Sequence, residues 1–377
     1  MAKRPTRGAA LVGASRLAVE AVHGITALVE AVHMQVLHKA VGSSAARPVA
    51  AVTTLVYRSV HGVTRALGGG IDALLGRLEP ALAEPWEGRD ALLAALNGVL
   101  GDRLARTNNP LAIPMSLRAV GVAGPRIVVL AHGLCMNDQQ WARGGEGHGA
   151  ALARERGYTA VYLHYNTGLH ISENGRALAA QLQALVDGWP VPVEEIAIVG
   201  HSMGGLVARS AIAFAEAAGD NWRTRLRTLV TLGSPHHGAP LERGGNWVHH
   251  VLELNAYSAP FARLAKLRSA GITDLRHGSV CDADWQAGDR FAHGAALPAV
   301  LALPDGVRCY ALAGRIGAHV GDGLVPVDSA LGKHDDPARC LHFSGEALLD
   351  GVDHLDLLSA PAVCAQLLAW LQRARGG

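Results

Sequence analysis

Residues 195–213 read Glu-Ile-Ala-Ile-Val-Gly-His-Ser-Met-Gly-Gly-Leu-Val-Ala-Arg-Ser-Ala-Ile-Ala, and three kinds of text meet within them. Glu195-Ile-Ala-Ile-Val199 is a short apolar run of the kind a buried strand shows, while Leu206-Val-Ala-Arg-Ser-Ala-Ile-Ala213 is helical text. Between them Gly200-His-Ser-Met-Gly204 fits G-x-S-x-G, with Gly205 behind it. A serine at the tip of a strained strand-to-helix turn needs small residues two before and two after it, because the strand and the helix pass close there. The following helix also aims its N-terminus at any negative charge that develops beside the serine. A glycine-rich turn with an incidental serine is the plain alternative. The strand leading in and the helix leading out favour a nucleophile at Ser202.

Working outward, the same grammar repeats. Strands are expected at 126–131, 159–164, 228–232, 307–313 and 340–343, with helices at about 174–187, 203–217 and 362–374. Strands alternating with helices of this length imply an α/β fold, a mostly parallel sheet covered on both faces. Residues 239–300 interrupt the alternation, and their apolar helical pattern (Trp247, Val251, Leu252, Leu254, then Phe261, Leu264, Leu267) is what a cap or lid over a site would look like.

A serine hydroxyl is a weak nucleophile until a base takes its proton, and the base needs an orienting carboxylate. Downstream of Ser202, Gly321-Asp322-Gly323 follows one expected strand and His354 follows another, which satisfies the chain order serine, acid, histidine. Asp322 is preferred over Asp305, Asp328, Asp335, Asp336 and Asp353 because its flanking glycines let the backbone turn sharply, and Asp328 is the reserve. His319, His334 and His342 compete less well than His354, since His342 falls inside an expected strand and His319 precedes the acid. Backbone N–H groups that hold an oxyanion come from the residue after the nucleophile and from the loop after an early strand; these are Met203 and, in His132-Gly133-Leu134, Leu134. His132 is read as positioning that loop. The pairs His236-His237 and His249-His250 invite a metal reading, but no regular carboxylate or cysteine set accompanies them, so neither metal nor cofactor is expected. Cys135 is read as a small core residue.

The remaining text limits the class. With 377 residues and 49% hydrophobic content, an ordinary core is possible and disorder is excluded. The 34 Lys+Arg against 32 Asp+Glu give +2 with no clustered basic face, so nucleic acid is not an expected partner. The longest stretches without Asp, Glu, Lys or Arg are 157–172 and 357–372, too short and too broken for a membrane span. The apolar patch 9–14 is too short for a secretory leader, and five widely spaced cysteines fit a reducing compartment, so a cytoplasmic protein is expected. Residues 1–110 differ from the rest. Val22, Ile25, Val29, Val32 and Val36 form a narrow helical seam, with further helical patterns at about 50–66, 71–80 and 92–100. These read as a helical layer on the main domain. Weak peripheral contact of the first helix with a lipid surface is the sharper reading.

Taken together, Gly200-His-Ser-Met-Gly-Gly205, Thr231-Leu-Gly-Ser-Pro-His-His-Gly238, His132-Gly-Leu134, Gly321-Asp-Gly-Leu-Val-Pro326 and Asp353-His-Leu-Asp-Leu-Leu358 resemble the α/β-hydrolase lipases, in particular the bacterial triacylglycerol-lipase and inositol-deacylase-like branch, over about 118–375. The resemblance implies Ser202 as nucleophile, Asp322 as acid, His354 as base, Met203 and Leu134 as oxyanion donors, and an acyl ester or lipid substrate. A thioesterase or acyltransferase on the same residues, and a lipid-surface or partner-binding scaffold, are the rival expectations.

Overall fold

Alternate residues of one strand, Arg126–Ala131 (β2), belong to two different cores, and this organises the molecule. Ile127, Val129 and Ala131 point to one face, whereas Val128 and Leu130 point to the other. All six β2 residues are buried, so the run is continuously apolar after Arg126, as expected of a central strand covered on both sides.

The computed structural model describes residues 89–143, 145–239, 269–286, 300–317 and 321–372. Among them the strands are Ser116–Val120 (β1), β2, Thr159–His164 (β3), Glu195–His201 (β4), Leu226–Leu232 (β5), Arg308–Arg315 (β6) and Gly345–Asp350 (β7). They form one sheet in the order β1-β3-β2-β4-β5-β6-β7, in which only the β1–β3 pair is antiparallel. Among the described residues, six helices of eight or more residues accompany it: Arg89–Arg106 (α1), His148–Arg156 (α2), Ile171–Asp187 (α3), Met203–Ala218 (α4), Ala270–His277 (α5) and Pro361–Trp370 (α6). One core gathers Leu92, Leu96, Val99 and Leu104 of α1 with Leu178 and Leu182 of α3 and Leu206 and Val207 of α4, against the β2 face that carries Ile127 and Val129. The opposite core packs Leu152 of α2 and Val363 and Leu367 of α6 on Val128, Val199 and Val230. Each such aliphatic side chain contributes roughly 1.5–3 kcal/mol on burial. α1 is therefore part of the same core as the sheet, although its text falls in the region 1–110.

One expected strand is corrected. Residues 340–343 are loop, and the last strand is Gly345–Asp350. Leu341 and Phe343 are apolar for a different reason: Leu341 N donates to the Gly332 carbonyl at 2.8 Å, and the Phe343 ring lies 5.4 Å from that of His236. The first three N-terminal helical patterns, with Val22, Ile25, Val29, Val32 and Val36, lie outside the described residues, as do 240–268 and 287–299 of the insertion. Among the described residues, no helix is long and apolar enough to cross a membrane.

Candidate active site

The carboxyl ends of β2, β4, β5 and β6 converge, and each carries one part of the site. At the end of β4 the backbone turns at Ser202 with φ 53° and ψ −122°, a conformation that an L residue adopts only under constraint. The constraint comes from close packing. A Cβ built at Gly200 would lie 2.5 Å from Gly205 N, and one at Gly204 would lie 2.2 Å from the Ala131 carbonyl oxygen, so β4 can pass directly into α4 only with glycine at both places. Ser202 N donates to Leu232 O at 2.8 Å, which ties the turn to β5.

Asp322 and His354 come together from beyond β6 and β7. His354 Nδ1 lies 2.7 Å from Asp322 Oδ2. A carboxylate oxygen accepts, so Nδ1 carries the hydrogen and Nε2 is left with the lone pair. The other carboxylate oxygen accepts from Leu324 N at 3.0 Å and Val325 N at 2.8 Å, while His354 N donates to the Asp322 carbonyl at 3.0 Å. The acid is thus held by its own turn, where Gly321 and Gly323 both take positive φ. Both side chains are buried. A Cβ at Gly233, which follows β5, would sit 2.8 Å from Asp322 Oδ2 and 3.3 Å from His354 Nδ1, so the pair rests on the strand beside the serine turn. The reserve acid, Asp328, lies exposed in the short helix Val327–Ala330.

Sequence reasoning overlooked His201. Its Nε2 is 2.8 Å from the His354 carbonyl oxygen, and the two rings stand 4.6 Å apart. Since a carbonyl only accepts, Nε2 donates, and the residue before Ser202 holds the backbone of the histidine loop. A histidine inside the serine motif was the only signal available, because the contact spans the chain from β4 to the loop after β7.

The loop after β2 lies across from the elbow, as the pairing of Ala131 with Gly200 requires. A Cβ at Gly133 would be 3.0 Å from Ser202 Cβ. Leu134 is buried in this loop, and Met203 is buried at the first position of α4. Tyr165 donates its hydroxyl hydrogen to the His132 carbonyl at 2.7 Å, His132 Nδ1 donates to Gly133 O at 2.9 Å, and Cys135 N donates to Thr167 Oγ1 at 3.1 Å. His132 therefore does shape the loop. Cys135 is half-buried and takes φ 58°.

Part of the insertion packs beside the elbow. Ser269 caps α5 and donates its hydroxyl hydrogen to Gly98 O at 2.6 Å; Gly271 approaches Met203 Cε; and Asp274 accepts from Ile171 N at 2.8 Å and from His170 Nδ1 at 3.0 Å. Trp285 stacks on His170 with centroids 3.8 Å apart.

Several imidazoles around the site are buried and neutral. Burial lowers His132 to about 4, pushes His201 and His236 well below the ordinary histidine value, and lowers His148. The unfolded chain binds protons at these groups near pH 6.5, but the folded chain does so only below their depressed values, so stability falls as pH drops from about 6.5 toward 4. For His132 alone the loss between pH 7 and pH 5 is about 2 kcal/mol. Asp274, raised mainly by burial, acts in the opposite sense, one group against four. Urea unfolding should therefore show a lower midpoint at pH 5 than at pH 7; an equal or higher midpoint at pH 5 would contradict the neutral, buried state of these rings.

Residues 123–301 match the family described as PGAP1-like alpha/beta domain. That segment includes Leu134, Ser202 and Met203, while Asp322 and His354 lie beyond it. A GPI inositol-deacylase of Emericella nidulans is 34% identical over 89 residues, which cover 22% of this chain and 8% of that protein. The matched stretch is thus a small part of that protein's length. Among solved structures, the mature form of the Bacillus licheniformis lipase BlEst2 is similar over 69% of this chain and 98% of its own, at 18% identity and a TM-score of 0.41. The Pyrococcus furiosus esterase Pf2001 is similar over 70% of this chain and 89% of its own, at 16% identity and a TM-score of 0.43.

Proposed function

We propose that this chain, whose residues 123–301 match a PGAP1-like alpha/beta domain, cleaves a carboxylic ester with an apolar acyl chain through an acyl-enzyme on Ser202. The observation that carries this reading is the 2.7 Å contact of His354 Nδ1 with Asp322 beside a serine held at φ 53°. His354 Nε2 takes the Ser202 proton as Oγ attacks the ester carbonyl, and the tetrahedral oxygen is received by the amides of Leu134 and Met203. Collapse expels the alcohol, which takes the proton from His354. Water, deprotonated at the same nitrogen, then attacks the acyl-enzyme and releases the acid. Asp322 keeps the imidazole in the tautomer whose Nε2 is the base. The fungal relative is an inositol deacylase by name, which supports an acyl oxyester as the bond broken.

The test is a panel of nitrophenyl esters and acyl thioesters of graded chain length, run beside labelling by a fluorophosphonate. Oxyester hydrolysis and labelling mapped to Ser202 are expected. Folded protein that turns over no ester and takes no label would end the proposal, and preference for thioesters would move the activity to the thioesterase alternative.

A further inference from the structure

Residues 97–101 of α1, which lie outside the segment matched to the family, touch three loops of the candidate site at once. A Cβ built at Gly98 would lie 2.2 Å from Cys135 Sγ, 3.0 Å from Cys135 Cα and 3.1 Å from Cys135 Cβ. Cys135 directly follows Leu134 and is one of three non-glycine residues with positive φ among the described residues, along with Asn108 and Ser202. Gly98 O accepts the Ser269 hydroxyl at 2.6 Å at the start of α5. Three residues on, a Cβ at Gly101 would lie 1.8 Å from Asn166 Oδ1, in the loop after β3 that also supplies Thr167.

Two features make this more than ordinary packing. Glycine inside a helix is less favourable than alanine, so α1 gives up helical stability at Gly98 for the close approach. The residue approached stands at the strained point of the loop that carries Leu134, and a cysteine at positive φ persists only where its surroundings over-determine it. Those surroundings are Gly98 on one side and the Thr167 hydroxyl on the other.

We infer that Gly98 is a positioning residue for the oxyanion loop: its missing side chain lets Cys135 seat against α1 and so fixes where the Leu134 amide points. The inference rests on the assignment of Leu134 as an oxyanion donor. An alanine at 98 forces the Cys135 thiol to turn and its backbone to retreat by tenths of an ångström, which the helix itself tolerates. A donor displaced from a developing oxyanion acts on the transition state and leaves the ground-state ester bound as before.

Gly98→Ala in the full chain should lower kcat for a nitrophenyl ester roughly ten- to a hundredfold with KM within about threefold. The Ki of an alkyl trifluoromethyl ketone, whose carbonyl carbon bonds Ser202 Oγ and whose oxygen becomes the oxyanion, should rise by a similar factor. Adding Cys135→Gly removes Sγ and Cβ, leaves only the Cα at 3.0 Å, and relieves the positive φ, so it should restore much of both. If Gly98→Ala does not fold, Thr167→Val, which removes the acceptor of the Cys135 amide, should produce the same pattern while Thr167→Ser does not. A folded Gly98→Ala enzyme with unchanged kcat and Ki, a loss that Cys135→Gly does not repair, or a Thr167→Val enzyme with unchanged Ki would overturn the inference. A wild-type protein that neither hydrolyses the ester nor binds the ketone would overturn the Ser202 reading beneath it.

Discussion

Replacing Ser202 by alanine should abolish ester turnover, with a loss of at least about a thousandfold, while the melting temperature stays at or slightly above that of the wild type. The chemical reason is that no other hydroxyl occupies the turn between β4 and α4, and water without a nucleophile must use only what the remaining donors supply. The stability side follows from the backbone. Ser202 sits at φ 53°, and the turn is held by Gly200, Gly204 and the 2.8 Å bond from Ser202 N to Leu232 O, none of which requires the hydroxyl. Retention of more than about a hundredth of wild-type turnover by pure Ser202→Ala protein would remove Ser202 from the chemistry.

The second large effect separates two acids. Asp322→Asn should leave the fold intact and lower kcat by several powers of ten, because an amide can present its NH2 to His354 Nδ1 and so stabilise the tautomer whose Nε2 carries hydrogen and cannot act as base. The carboxamide oxygen can still accept from Leu324 N and Val325 N, so the turn has no reason to open. Asp328→Asn should change kcat less than about twofold, since that side chain is exposed on a short helix. The opposite ranking in a steady-state assay of the two variants would transfer the role to Asp328.

The central strands were legible in the sequence because β2, β4 and β5 are buried almost throughout, so each carries a short run dominated by apolar residues: 127–131, 196–199 and, with Thr231 among them, 229–232. The edges were not. β1 has four of five residues exposed, and β7 reads Gly-Glu-Ala-Leu-Leu-Asp with no fully buried position, whereas the neighbouring 340–343 carries two apolar residues that serve a loop. An edge strand needs few buried side chains and so leaves a weak pattern. Residues of the candidate site divided in the same way. Ser202, Asp322 and His354 sit in turns marked by glycine or by chain order, and these could be named from text. His201 and Gly98 act through contacts with His354 and Cys135, partners far away in the chain, and nothing in the neighbouring residues announces them.

The sheet order also dictates when the parts of the site can exist. β4, with the serine turn at its end, pairs only with β2 and β5, and its last link to the turn is the Leu232 carbonyl; the strands that deliver Asp322 and His354 are the last two made and occupy one edge of the sheet. His201 and its His354 partner are 153 residues apart. At bacterial or eukaryotic elongation rates of about 5–20 residues per second, that separation is roughly 8–30 seconds of synthesis. On the proposed roles, a chain folded only as far as β5 has Ser202 without His354, so during translation the serine is inert toward esters until β7 has docked.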